Sequence, residues 1–473
     1  MPSTRRRTVS ASTEDGPSQE RRSGTFRRTS RVRSRSPSKR ADASLTDNAA
    51  LNKPQAAANA TPKLNRRGTR TKSAKRDTLS AFKSQRHPLT TSSPHAIAFE
   101  KPPFTIKELR DAVPSDCFVH STTKSIAYVV ADLAMAGSLF TLASLYIDQL
   151  FGETAPLVST ALWAVYSVAQ GVVCTGIWVL AHECGHGGFS ASPLLNNIVG
   201  WILHSALLVP YFSWKISHSK HHKGCAHMEK DQVFVPRLRS DFPARMRDRH
   251  HREIEEHGLK EEIEGDLFEN APIVDLYRLC RQQLFGWPAY ILGNASGQRY
   301  FSWASHFHTT SPIFSQSQAT EVVLSDVGVG LTLSLLAYFS YTYGFLTVFK
   351  LYLAPYLWVN HWLVMITFLQ HTDVRVPHYR GDEWTFLRGA LSTVDRDFGL
   401  LNLFFHHITD THVAHHLFSN MPFYNAQRAT QAISAKLGKY YLHDESPIFL
   451  SLWRSYKACR FVEDEGNVLF YKR

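Results

Sequence analysis

The chain has 473 residues and a formal charge of +13, but residues 1–90 hold 22 of its 53 Lys and Arg and only 6 of its 40 Asp and Glu. The remainder is slightly acidic, so the overall basicity describes a tail and not the folded part. Six cysteines without a CxxC pair exclude structural zinc ribbons and a disulfide-stapled secreted fold.

The N-terminus lacks the apolar core of a signal peptide behind its arginines, so any membrane insertion must come from internal segments. Residues 1–95 are poor in aromatics, lack apolar periodicity and carry Arg5-Arg6-Arg7, Arg27-Arg28 and a Ser/Arg alternation over 31–35. They are predicted to be a disordered basic tail. Its readings are attraction to an anionic membrane surface, a phosphorylatable segment, RNA contact of the Ser/Arg type, or plain solvation. No specific nucleic acid is expected as partner.

Residues 96–473 are read as one domain, entered through a Pro-bearing approach over 91–120. The first long apolar run is 126–147, broken only by Asp132, and the second is 155–181. Each can cross the hydrocarbon of a bilayer, about 30 Å at about 1.5 Å per residue. The linker between them, 148–154, has no Lys or Arg, while the arginine-rich tail precedes the first run. The positive-inside rule therefore puts the tail in the cytoplasm and the linker on the far side. Residues 196–211 are apolar but short and broken by His204 and Pro210, which suggests an interfacial or re-entrant segment. The polar stretch 215–269 suits the cytoplasm, and 273–292 looks amphipathic and interfacial. Runs 322–343 and 345–369 form a second hairpin around Gly344. The expectation is an all-α integral membrane protein with four transmembrane helices in two hairpins, both termini cytoplasmic.

Three histidine clusters punctuate this layout. They are His182 and His186, then His218, His221 and His222, then His412, His415 and His416. Positions i, i+3 and i+4 share a helix face, so each cluster can aim its imidazoles at one point. Four crossings would leave all three clusters on one membrane face. Imidazole alone does not name the metal, but eight exceed what one tetrahedral zinc can use. The paired ExxH motifs of soluble di-iron bundles are absent. Two metals at a membrane face, read as irons, point to oxidation of something apolar. The plainer reading, helix-surface or core histidines in a His-rich chain, accounts for one cluster more easily than for three.

These residues carry a resemblance that runs from about Lys101 to the C-terminus. Its carriers are Ala181-His182-Glu183-Cys184-Gly185-His186, His218-Ser219-Lys220-His221-His222, Asp231-Gln232-Val233-Phe234-Val235-Pro236, Leu369-Gln370-His371-Thr372, Arg388-Gly389-Ala390, Thr393-Val394-Asp395-Arg396-Asp397 and the stretch from Ile408 to Ser419. In them the chain resembles the membrane fatty-acid desaturases of the acyl-lipid Δ12/omega-3 group, of fungal and plant oleate-desaturase type. The resemblance implies a cytoplasmic helical cap holding a histidine-ligated di-iron site, and dioxygen as co-substrate. It implies electrons from a separate cytochrome b5 and its NADH-dependent reductase, at the endoplasmic reticulum membrane. The implied substrate is a phospholipid-linked C18 acyl chain, oleate at Δ12 or linoleate at the omega-3 position. It also implies a ninth histidine at the end of the last span, where His371 stands; an interfacial histidine reaching for water is the alternative.

Glu183 could orient a ligand or be a solvated helix-end carboxylate. Asp410 could orient an imidazole or cap the third-cluster helix, and the cap is preferred. His407 is a candidate for support behind the ligands, with His406 close by but off the cluster's spacing. Asp231 and Arg396 could be ion-pair partners only, and Cys184 a packing residue. Gly187 after the first cluster is reminiscent of omega-3 enzymes. The rivals are a fatty-acid hydroxylase on the same scaffold and, from another class, a membrane-anchored binding protein with a structural metal. Iron content and His415→Ala separate the latter from an enzyme.

Overall fold

The computed structural model describes residues 97–242 and 271–473; the basic tail expected over 1–95 lies outside the described residues. The part described is mainly helical.

The first apolar run forms a helix over Thr122–Phe151 that contains a π-helical turn at Ala143–Ile147. The second is helical over Pro156–His186, opened by Pro156 in its first turn, where a missing N–H costs nothing. It is closed by Gly187 at φ 76°, the left-handed position where glycine carries no Cβ penalty. The third run is helical over Gln316–Tyr343. The fourth continues from Phe345 through a π-helical turn at Phe349–Leu353 into Ala354–His371.

Three of these four helices are long and apolar enough to cross a membrane: Thr122–Phe151, Pro156–His186 and Gln316–Tyr343. The fourth falls outside that group, since Asn360, His361 and several aromatics dilute its hydropathy. The short apolar segment forms Pro193–Ala206, followed by Tyr211–Gly224 at a bend of 108°, the geometry of a broken or re-entrant span.

Burial ranks the helices. The apolar window of the second is 72% buried, against 17% in the first and 22% in the third. The second is therefore the hub, and the other two present Val130, Leu133, Phe140, Leu331 and Leu335 outward, as helices facing lipid do. The hub packs most extensively on the fourth helix. At Gly171 a Cβ would stand 2.3 Å from Cβ of Trp358, so only glycine permits that crossing. At the far end from the histidines, Asp148 accepts from Ser159 Oγ, Trp163 Nε1 and Lys350 Nζ, each at 2.8 Å. One carboxylate thus ties three helix ends together.

The expected all-helical class is corrected in one respect. Residues Pro377–Tyr379 pair antiparallel with Val468–Phe470, and Asp395–Arg396 pair parallel with His443–Asp444. These irregular segments cover the histidine end of the helices, and buried backbone polar groups without a helix need a ladder. Helix Pro272–Gly293 packs on the fourth helix while Ile273, Leu276 and Leu292 stay exposed, the two-sided character expected of 273–292.

Candidate metal centre

All nine predicted histidines meet at the end of the hub helix. His182 and His186 occupy its last turns. His218, His221 and His222 lie on Tyr211–Gly224, His371 ends Ala354–His371, and His412, His415 and His416 make up half of the short helix His412–Leu417. Four segments far apart in sequence thus deliver one cluster.

The rings fall into two groups. In the first, His182, His186, His218, His222 and His415 each offer a ring nitrogen, all within 4.8 Å of one another. Nε2 of His182 is 2.8 Å from Nε2 of His218 and 3.2 Å from that of His186, and His222 Nε2 is 3.2 Å from His218 Nε2. In the second, His221, His371, His416 and Cys225 stand within the same limit. His412 joins them, its Nε2 3.1 Å from Nε2 of both His371 and His416.

Nitrogen lone pairs facing one another at such distances repel unless a proton or a cation lies between them. Two nitrogens at about 2.1 Å from a shared cation and at right angles would be about 3.0 Å apart, the spacing seen here. The donor set therefore fits two metal ions. Burial drives the imidazoles toward the neutral, ligating form. It holds His412 and His416 well below the usual histidine range, with their imidazole neighbours pushing the same way, and His415 at about 3 against the opposing pull of the Glu183 carboxylate.

Carboxylates stand behind the rings. Glu183 is 1% exposed, and its Oε1 lies 2.9 Å from Nδ1 of His182 and 3.6 Å from Nδ1 of His415. Asp231, equally buried, has Oδ1 2.8 Å from Nδ1 of His221 and also accepts from the backbone N–H of Val233 and Ala226. A ring that donates through Nδ1 turns its Nε2 lone pair toward the group. Trp214 stacks on His218 at 4.6 Å and Trp178 on His182 at 5.6 Å, shielding these rings from water.

A sequence profile of the fatty acid desaturase family matches residues 159–447, which include all nine histidines. The chain belongs to that family. Among its relatives are two Delta(12) fatty acid desaturases, of Mortierella isabellina and Mortierella alpina. Each is 52% identical over 404 residues, covering 84% of this chain and 99% of the relative. An oleate hydroxylase of Claviceps purpurea is 43% identical over 403 residues, covering 79% of this chain and 82% of the relative.

For this desaturase-family chain the remaining sequence candidates divide. Asp410 does not cap the third-cluster helix; both its oxygens lie 3.1 Å from Nδ1 of His407, which also meets Gln427. The cap comes from Asp395, whose Oδ1 accepts from Val413 N at 2.8 Å while Tyr441 donates to its other oxygen. Sequence spacing favoured the nearer carboxylate, and the chain path supplies a distant one. Arg396 binds Asp373, Asp444 and the Leu369 carbonyl, an ion-pair hub as expected. Cys184 is fully buried against Phe189 and Tyr211. Sequence reasoning missed Cys225, whose only signal is its place four residues after His221, with Sγ 4.0 Å from Nδ1 of His371.

Proposed function

We propose that this chain is an acyl-lipid Δ12 desaturase that converts a phospholipid-linked oleoyl chain to a linoleoyl chain. The convergence of nine histidines, seven buried and two half-buried, in two groups at one end of apolar helices carries this reading. The 52% identity to two Delta(12) desaturases over nearly their whole length sets its regiochemistry.

His182, His186, His218, His222 and His415 would hold one iron, and His221, His371, His412 and His416 the other. When bound, such a pair, with dioxygen, two electrons and two protons, supplies the oxidising power to remove a hydrogen from each of two adjacent methylenes, giving a double bond and two waters. The protein's part is to orient and to shield. Glu183 and Asp231 fix the ring tautomers, and Trp178 and Trp214 exclude water beside the first group. Cytochrome b5 and its NADH-dependent reductase would deliver the electrons. The four apolar helices would span the endoplasmic reticulum membrane in two hairpins under a cytoplasmic cap, with both termini in the cytoplasm. Residues 96–473 would form the desaturase domain and 1–95 a basic tail. The resemblance to an endoplasmic-reticulum omega-6 desaturase of Glycine max, 43% identical over 371 residues, supports this placement.

The second reading is an oleate hydroxylase, favoured by the Claviceps relative. Expression in a host that makes oleate but no polyunsaturates, followed by gas chromatography of its fatty acids, separates the two. Linoleate without feeding is the expected result, and His415→Ala abolishes it. A hydroxylated chain moves the assignment to the hydroxylase, and α-linolenate only on feeding linoleate moves it to the omega-3 position. No new lipid from well-expressed protein with its redox partners overturns the substrate assignment.

A further inference from the structure

Asp132 sits about a third of the way along the first apolar helix, with no other charged residue between Lys124 and Asp148. It is 4% exposed, and its Oδ2 lies 2.7 Å from Nε2 of His406, itself 6% exposed. An ionisable side chain inside a membrane helix is costly and persists where a partner and a role retain it. Neither residue belongs to the nine-histidine cluster.

Three observations show that the surroundings are built for this contact. Gly176 on the hub helix lies beneath it. A Cβ there would stand 2.4 Å from the Phe404 carbonyl oxygen, 3.1 Å from Asp132 Oδ2 and 3.3 Å from His406 Nε2. The missing side chain is what lets the pair and its chain segment approach the hub. His406 and His407 are consecutive non-glycine residues at φ 51° and 64°, a conformation L-residues avoid and that surrounding structure must enforce. This turn redirects the chain from Leu401–Phe404 toward the third histidine cluster. The His406 ring is further held edge-on by Tyr128 at 5.5 Å and Phe423 at 5.6 Å. It lines one small cavity, of about 10 Å³, together with Glu183 and His415.

We propose that Asp132 and His406 are positioning residues of the metal centre: their contact fixes the left-handed turn that carries the third cluster and so sets His415 against Glu183 and the first histidine group. The inference rests on the desaturase reading above. It adds that the first membrane helix, which contributes no histidine, controls the geometry of the first metal position.

The test uses the full chain in lipid nanodiscs as wild type, Asp132→Leu, Asp132→Asn and His406→Gln, loaded with isotopically enriched iron. It reads iron per chain, the Mössbauer quadrupole splitting and helix content. Wild type is expected to hold about two irons per chain; wild type holding none overturns the metal-centre reading and this inference with it. Asp132→Leu and His406→Gln are expected to keep wild-type helix content yet lose about half of the iron, as loss of an outer support weakens a site without removing a ligand. Asp132→Asn, which still offers His406 a polar partner, is expected to keep its iron with a changed quadrupole splitting. Full iron and an unchanged spectrum in both Asp132→Leu and His406→Gln overturn the positioning role while leaving the desaturase reading intact. Should Asp132→Leu fail to fold, Asp132→Asn decides: an unchanged spectrum overturns the proposal.

Discussion

Two carboxylates illustrate how single residues set this centre. Glu183 and Asp231 are each 1% exposed, and each faces the Nδ1 of a histidine whose Nε2 points into the cluster. A buried carboxylate is stabilised by just such donors. Asp231 has the fuller set, with the backbone N–H groups of Ala226, Val233 and Phe234 besides the ring, so it is both a loop organiser and a ring clamp. Asp231→Asn, which can present its amide the wrong way round, is expected to weaken iron binding by 10- to 100-fold, roughly the effect of losing such a partner elsewhere. Chelator competition on the purified protein reads this directly, and an unchanged affinity would remove Asp231 from the centre.

Among elements, the helix His412–Leu417 has only six residues and no cap from its own N-cap residue, Thr411. So short a helix is not stable by propensity; it stands because Asp395, on a two-residue strand paired with His443–Asp444, reaches its first turn. Asp395→Ala is expected to cost about 1–2 kcal/mol, as for loss of a capping oxygen, seen as a lower Tm and a lower iron content together. A second lock closes the other ladder's neighbourhood. Glu463 receives Arg239 through two bonds of 2.7 Å and Lys472 through one of 2.8 Å. The Arg239 hydrogen bonds lead in pulling its carboxyl down to about 2. The folded state then binds fewer protons than the unfolded chain between the ordinary glutamate value and about 2. The contribution is therefore present above about pH 4.5 and lost as pH falls toward 2. With Glu463 about one third exposed, solvent screening limits this to about 1 kcal/mol. Glu463→Gln should flatten the acid limb of stability against pH by that amount and leave neutral-pH activity unchanged.

At the scale of the molecule, helix burial and polarity both order the chain about the hub. The first and third apolar helices turn most of their surface outward, and every histidine of the two groups lies at the end of the hub opposite Asp148. If the four helices cross the bilayer in two hairpins, the linker 152–155 and the turn at Gly344 share one side, and the cluster takes the other. A glycosylation acceptor placed in the 152–155 linker is therefore expected to be modified in microsomes. One placed at Glu465, beside the C-terminal strand, should stay unmodified. The reverse pattern would invert the topology.

The sequence by itself determined the pieces that are local. Apolar runs of about 20 residues specify membrane-length helices because hydrocarbon satisfies no backbone group. HxxHH fixes a shared helix face at His218–His222 and His412–His416. His371 needed the family resemblance, since a lone histidine at a helix end has no pattern of its own. Tertiary structure decided whatever depends on segments far apart in sequence: the division of nine rings into two groups, Asp395 rather than Asp410 as the cap, and Cys225 beside His371. It also decided the meeting of Asp132 with His406, 274 positions apart. Spacing along a helix reports which side chains share a face, but which faces meet is set by close packing, here by glycines at 171 and 176 that let neighbouring segments approach the hub.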